Sequence, residues 1–241
     1  MSSPMQSIEK KVVVVIGGTS GIGRAVAEQS AAAGARVTVA SRSRQRVDET
    51  VALLGGAVQG KVVDLTDPES VRAFFGEAGE IDHLVLPGNQ VTIGQFRKLP
   101  IADAQASMNS KFWGQYAAIK AARMAPTGSV VLFSGVASRK PGGGAAALTA
   151  INAAVEALGK ALAVELAPVR VNVIAPGVVD TELWAGLPDE RRGAVLKSFT
   201  ERQPISRPGR PAEIAAVVLT MMTATFMTGA VVDVDGGTLL V

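Results

Sequence analysis

The chain of 241 residues contains no cysteine, one histidine and one tyrosine. The missing thiol excludes disulfides, thiolate-held metals and a cysteine nucleophile. A lone histidine, His83, argues against a histidine-based metal site, and none is expected. No uninterrupted apolar run reaches the ~18 residues that span a bilayer. Met1–Glu9 is polar and has no apolar stretch of the kind a secretory leader needs. This segment is expected to be a frayed end, and the protein to be cytoplasmic with no membrane partner. Charge is sparse and mixed, with 24 Lys and Arg against 21 Asp and Glu. No basic run alternates with aromatics, so a nucleic-acid partner is not expected.

What the chain does have is apolar bulk, at 48% hydrophobic residues, enough to give one large α/β domain over residues 1–241 a full core. Residues 12–23 read Val-Val-Val-Val-Ile-Gly-Gly-Thr-Ser-Gly-Ile-Gly. Four valines and an isoleucine in a row suit a strand covered on both faces. Gly17, Gly21 and Gly23 then turn the chain into a helical run from about Arg24 that stops at Gly34. A strand, a glycine turn and a helix N-terminus bring free backbone N–H groups to one point, where they can hold a diphosphate.

The alternation continues to the end of the chain. Strands are expected at Arg36–Ala40, Val58–Val63, Ile81–Leu86, Ser129–Phe133, Val169–Ile174 and Val231–Val234. Helices are expected up to about Leu54, after Asp67-Pro68, over about Ile101–Met124, and over the alanine-rich stretch of about Ala145–Leu166. In the second, Val71, Phe74, Phe75 and Ala78 follow the i, i+3, i+4, i+7 pattern of one helix face. Strands separated by helices predict a Rossmann-type, doubly wound, seven-stranded parallel sheet with helices on both faces. Residues 181–207 are the least regular and hold Leu183, Trp184, Leu187 and Phe199. They form a candidate substrate lid; an ordinary packed helical insertion fits the same composition.

Dinucleotide folds usually end the second strand on an acid that accepts from the ribose 2′-OH. Here Ser41 stands there and Arg42 follows. Losing the carboxylate removes repulsion toward a 2′-phosphate, and a guanidinium adds a bidentate partner for it. NADP(H) is therefore expected over NAD(H).

With these features the chain resembles the classical short-chain dehydrogenase/reductases over nearly its whole length. The resemblance rests on Gly17-x-x-x-Gly21-x-Gly23, Asp64-Leu65, Arg170-Val171-Asn172 and Pro176-Gly177-x-x-x-Thr181. Gly209-Arg210-Pro211-x-Glu213-Ile214-Ala215 and Thr228-Gly229 through Asp235-Gly236-Gly237 complete it. It implies cofactor contacts from Gly17, Thr19, Ser20, Gly21, Ile22, Gly23, Ser41, Arg42, Asp64, Leu65, Gly88, Asn152, Pro176, Gly177, Val179 and Thr181. It also implies a small-molecule substrate and a homo-oligomer, a dimer or tetramer, with the alanine-rich helix in an interface. Two cofactor-side positions depart from the family: Ile16 replaces a threonine, and Leu86-Pro87-Gly88-Asn89 replaces Asn-Asn-Ala-Gly.

The catalytic positions depart further. The family's Tyr-x-x-x-Lys falls on Leu148 and Asn152, and its serine, thirteen residues before the tyrosine, falls on Gly135. Neither a leucine nor a glycine side chain transfers a proton. The one tyrosine, Tyr116, reads as a packing residue on the preceding helix. Lys111 falls at the position of the family's catalytic asparagine, so lysine and asparagine would be exchanged between two helices. A surface or interface lysine, with the alignment slipped to Asn109, remains the other reading. Ser134 neighbours the serine position, but adjacent strand residues face opposite ways. Two functions stand: an NADP(H)-dependent oxidoreductase with a non-standard proton donor, or an NADP(H)-binding protein without turnover on the same scaffold.

Overall fold

The computed structural model describes residues 5–56, 58–88, 90–186 and 188–241, and of Leu183 and Asp189 the backbone alone. Seven strands form one sheet in the order β3-β2-β1-β4-β5-β6-β7. They are β1 (Val12–Ile16), β2 (Arg36–Ser41), β3 (Val58–Val62), β4 (Glu80–Leu86), β5 (Arg123–Phe133), β6 (Arg170–Pro176) and β7 (Val231–Val234). Every pairing among them is parallel.

The valine run of β1 alternates between two cores. Val13 and Val15 face a cluster with Val37, Val39, Ala25, Val26, Ile214, Val218 and Met222. Val14 and Ile16 face the opposite cluster, with Phe74, Phe75, Ala118, Ile119 and Val155. The first cluster is closed by helices α1 (Gly21–Ala32), α2 (Arg44–Leu54) and α8 (Pro211–Thr223). The second is closed by α3 (Pro68–Ala78), α5 (Gly114–Ala121) and α6 (Ala146–Glu165). A strand covered on both faces is apolar at every position, which is the pattern the sequence carries.

The helix expected over Ile101–Met124 is three pieces. After α4 (Ile101–Met108) comes a π-helical turn at Asn109–Trp113, then α5, which ends at Ala121. Arg123 and Met124 already belong to β5, paired with Glu80 and Ile81. Helical periodicity cannot register a strand partner supplied from another part of the chain. Residues 181–207 are more regular than expected, with a 3-10 turn at Glu182–Trp184 and α7 (Asp189–Thr200). Leu187 of the expected apolar cluster lies outside the described residues, as does the side chain of Leu183.

The N-terminal segment was expected to fray, yet its described part is docked. Ile8 is buried in the first core, Met5 bridges Ala224, and the Gln6 N–H donates to Thr223 O (2.9 Å). At the same C-terminal end of α8, the buried Arg170 guanidinium donates to Met221 O (2.8 Å), Met222 O (2.5 Å) and Met227 O (3.3 Å). It thereby satisfies carbonyls that the last turn of a helix leaves without partners.

α6 is long and apolar enough, by length and composition, to cross a membrane. In the fold it packs on β5 and β6, and only Ile151, Asn152, Val155 and Gly159 along it are buried.

Candidate active site

The sheet order reverses between β1 and β4, and the glycine turn after β1 opens at that crevice. Gly17 (φ 95°) turns the chain, and a Cβ there would stand 2.3 Å from Gly88 Cα. A Cβ on Gly23 would stand 2.0 Å from Gly17 O. Both positions therefore need glycine for the turn to close against β4 and for α1 to enter at this angle. Thr19 is buried within the turn, while Ser20 and Ile22 are half-buried.

Ser20 precedes α1 without a side-chain bond to the helix, and the first turn of α1 has no acid. The carboxylate of Glu182 serves instead. Its Oε2 accepts from the Gly21 N–H (2.7 Å), and its Oε1 accepts from Arg24 (2.7 Å). Thr181 lies directly over Gly21: a Cβ built on Gly21 would be 3.1 Å from Thr181 Cγ2. Pro176 and Gly177 leave β6 beside β7, where the Gly177 N–H donates to Val234 O (3.1 Å). Val179 is buried and bridges Gly209.

At the end of β2 the Ser41 hydroxyl accepts from the Ser43 N–H (3.3 Å). Arg42 is exposed and donates to Gln90 Oε1 (2.9 Å), and the Gln90 N–H donates to Ser110 Oγ (2.8 Å). After β3, the Asp64 carboxylate accepts from the Thr66 N–H (2.9 Å) and hydroxyl (2.7 Å), while Leu65 packs toward Gly114. Asn89 lies outside the described residues.

At the end of β5, two helices reach the same dipeptide. Lys111 Nζ donates to Ser134 O (3.1 Å) from the π-helical turn, and Asn152 Nδ2 donates to Gly135 O (3.2 Å) from α6. Lys111 is 5% exposed and Asn109 is exposed, so the buried cation of this helix is Lys111. Burial, with no charged partner among the described residues to offset it, pushes the Lys111 ammonium down to about 8. Asn152 is also buried, and its Oδ1 has no hydrogen-bond partner among the described residues. Leu148, half-buried, sits one turn before Asn152 on the same face of α6. The Ser134 hydroxyl donates to Glu156 Oε1 (2.8 Å) and contacts Asn152 O (3.2 Å), so it turns toward α6. Glu156 also accepts from Ser138 (2.6 Å) and Arg139 (3.2 Å), and Arg139 continues to Asp233.

The comparisons with known proteins agree with this architecture. A family model described as "Enoyl-(Acyl carrier protein) reductase" matches residues 17–238. The chain is 33% identical over 260 residues to the short-chain dehydrogenase/reductase ucsE of Acremonium sp, covering 97% of each. It belongs to the short-chain dehydrogenase/reductase family. Another relative is the 3-oxoacyl-[acyl-carrier-protein] reductase FabG of Escherichia coli (strain K12), 29% identical over 98% of this chain and 100% of that one. Among solved structures, a small-chain dehydrogenase in complex with NADPH is similar over 97% of this chain and 100% of that one, with a TM-score of 0.85 and 36% identity.

Within this short-chain dehydrogenase/reductase, the structure gathers Gly17–Gly23, Thr181, Pro176–Gly177 and the Ser134–Gly135 dipeptide at the carboxyl ends of the strands. Two of the residues considered in the sequence lie elsewhere. Tyr116 packs at the surface, 5.6 Å from Trp113 and 6.5 Å from Phe112 by ring centroids, and is 37% exposed. His83 is buried inside β4 against Ser129 Oγ (2.9 Å). Sequence reasoning missed Glu182, Gln90, Glu156 and the buried Gln115. Only Gln115 left a signal, as a polar residue beside Gly114, Ala118 and Ile119.

Proposed function

We propose that the protein is an NADP(H)-dependent oxidoreductase that moves hydride to or from a small organic substrate, with a proton-handling site unlike the family's Ser, Tyr and Lys. The observation that carries this reading is Lys111, a buried ammonium with no charged partner among the described residues, bonded at the carboxyl end of β5 beside the dinucleotide crevice. Perturbed cations of this kind suit proton transfer near neutral pH.

The residues fit the cofactor. The Gly21 N–H already bonds an anion, the Glu182 carboxylate, so this end of α1 accepts negative charge. Gly17, Thr19, Ser20, Gly21, Ile22 and Gly23 would hold the diphosphate. Ser41 carries no charge to repel a 2′-phosphate, and Arg42 is exposed beside it to bind one. Asp64, Leu65 and Gly88 would line the adenosine side, and Pro176, Gly177, Val179 and Thr181 the nicotinamide side. The orphaned Asn152 Oδ1 is a buried acceptor to which a ribose hydroxyl would donate.

The bound cofactor supplies hydride chemistry. For a carbonyl substrate the oxygen also takes one proton, and Lys111 is the group we assign to deliver it, directly or through water. Asn152 then stands in the place of the family's lysine and Lys111 in that of its asparagine, an exchanged pair. Leu148, in the tyrosine's place, offers the substrate apolar surface only. The segment 181–207 would cover the substrate as a lid.

Calorimetry with NADPH and NADH tests the cofactor assignment: NADPH should bind more tightly, and Arg42→Ala should weaken NADPH alone. Equal affinities in the unmodified protein would reject it. NADPH consumption against a panel of carbonyls, imines and enones tests turnover. Tight binding with no consumption across the panel would favour a binding protein on a reductase scaffold.

A further inference from the structure

We propose that Glu182 is an internal anion seated where the cofactor diphosphate binds, a latch that must open before the cofactor is held. The proposal rests on the cofactor reading above and adds to it a contact made by this chain against its own ligand.

α1 enters without a cap of its own, because the Ser20 side chain makes no bond to it and its first turn holds no acid. The free N–H groups of such an end attract negative charge. The charge that arrives comes from 161 residues further along the chain. Glu182 uses both oxygens, Oε2 on the Gly21 N–H at 2.7 Å and Oε1 on Arg24 at 2.7 Å. The Arg24 and Glu182 side chains are 40% and 45% exposed, so water can replace either bond and the contact can open.

The chain on both sides of Glu182 is held, with Trp184 Nε1 donating back to Val179 O (3.0 Å), so the latch opens by the Glu182 side chain swinging off Gly21. Before it, Val178–Asp180 is held on Gly209: the Gly209 N–H donates to Val178 O (2.9 Å) and the Asp180 N–H donates to Gly209 O (2.9 Å). After it, the turn Glu182–Trp184 is joined to α7 by the packing of Trp184 on Phe199, with ring centroids 6.1 Å apart. Arg192 of α7 pairs with Asp180 at the boundary. Glu182 therefore ties α7 to the N-terminus of α1, and its release frees the proposed lid from the glycine turn.

One N–H cannot serve a carboxylate and a phosphate oxygen at once, and the two anions repel at this distance. Cofactor binding must displace Glu182, and the displacement leaves Arg24 without its carboxylate partner. The apparent affinity is then lowered by the fraction of molecules in which the latch is closed.

The test is calorimetry on the full chain with Glu182→Ala and Glu182→Gln. NADPH should bind about tenfold more tightly to Glu182→Ala, with a smaller gain for Glu182→Gln, which keeps an acceptor and loses the charge. Adenosine 2′-monophosphate, which reaches Arg42 but carries no diphosphate, should bind all three proteins alike. Hydrogen exchange of α7 amides, measured without ligand, should be faster in Glu182→Ala than in the parent. If NADPH binds the parent and both variants equally, or binds the variants more weakly, Glu182 is only a helix cap and the latch is refuted while the cofactor assignment stands. If neither NADPH nor adenosine 2′-monophosphate binds any of the three, the cofactor assignment fails and the latch falls with it.

Discussion

Gln115 stands to Phe133 as a neighbouring strand residue would. Its Oε1 accepts from the Phe133 N–H (3.0 Å) and its Nε2 donates to Phe133 O (3.3 Å). β4 ends at Leu86, paired with Leu132, so the next residue of β5 has no strand beside it on that edge. The fully buried amide of Gln115 takes over the ladder there. The same Nε2 donates to Lys111 O (2.8 Å), a carbonyl of the π-helical turn. Gln115 thus sets the height of Lys111 against Ser134.

Gln115→Leu should cost about 2–4 kcal/mol, because it leaves the buried N–H and C=O of Phe133 without partners. Urea unfolding followed by circular dichroism measures this. A loss below ~1 kcal/mol would mean that water or a shifted backbone replaces the amide.

Restoring the family's tyrosine alone, Leu148→Tyr, should not raise the rate of carbonyl reduction, since a tyrosine with an ordinary pKa near ~10 needs both a cation and a hydroxyl holding the substrate oxygen. Adding Gly135→Ser supplies a hydroxyl for the substrate oxygen. The new Cβ would lie 3.1 Å from Asn152 Nδ2, so the Asn152 amide must shift by a few tenths of an ångström. With Lys111 in the exchanged role, the double variant should reduce a reactive diketone at least ~10²-fold faster than the parent. Lys111→Met in that background should remove the gain. NADPH absorbance follows the rate, and activity that survives Lys111→Met sinks the exchanged pair.

Stability should fall as the pH drops from 6.5 toward 4. Burial holds the His83 imidazole down at about 4 from an ordinary 6.5, with Arg170 and Lys11 adding to the effect and Asp82 opposing it. In that window the unfolded chain binds a proton that the folded chain refuses, so His83 contributes stability that is complete above pH 6.5 and lost on acidification. The loss amounts to about 3 kcal/mol at full extent. Thermal melts across this range should show the slope, and His83→Asn should flatten it while leaving the Ser129 hydroxyl a partner. A slope that persists in the variant would assign the effect to other groups.

A homo-oligomer, a dimer or tetramer, is the expected assembly. α6 exposes Ala150, Ala153, Ala157, Ala161 and Val164, and the neighbouring helix region presents Trp113 and Tyr116 at 52% and 37% exposure. Apolar surface of this kind, on adjacent helices, suits burial against a second copy. Light scattering at micromolar concentration should give a multiple of the chain mass. A monomer mass would contradict the expectation, and the substitution Trp113→Lys should lower the mass if this face is the contact.

The parts of this protein legible in sequence are those set by near neighbours. The valines of β1 declare a strand buried on both faces, and Gly17, Gly21 and Gly23 declare the turn, because backbone sterics and the two-residue strand period act locally. The helix face of Val71, Phe74 and Phe75 declares itself by the same periodicity. The tertiary structure alone decided where Ile101–Met124 stops being helix, since Arg123 and Met124 answer to Glu80 and Ile81 across the sheet. It alone decided that Lys111 is buried and that Gln115 completes β5, because the cost of leaving a buried carbonyl unbonded exists only once the strand and helix are packed together. Only the fold could bring Glu182 to Gly21. Attraction between a carboxylate and a helix end reaches a few ångströms, and nothing in the order of residues states which distant parts of the chain will come within that reach.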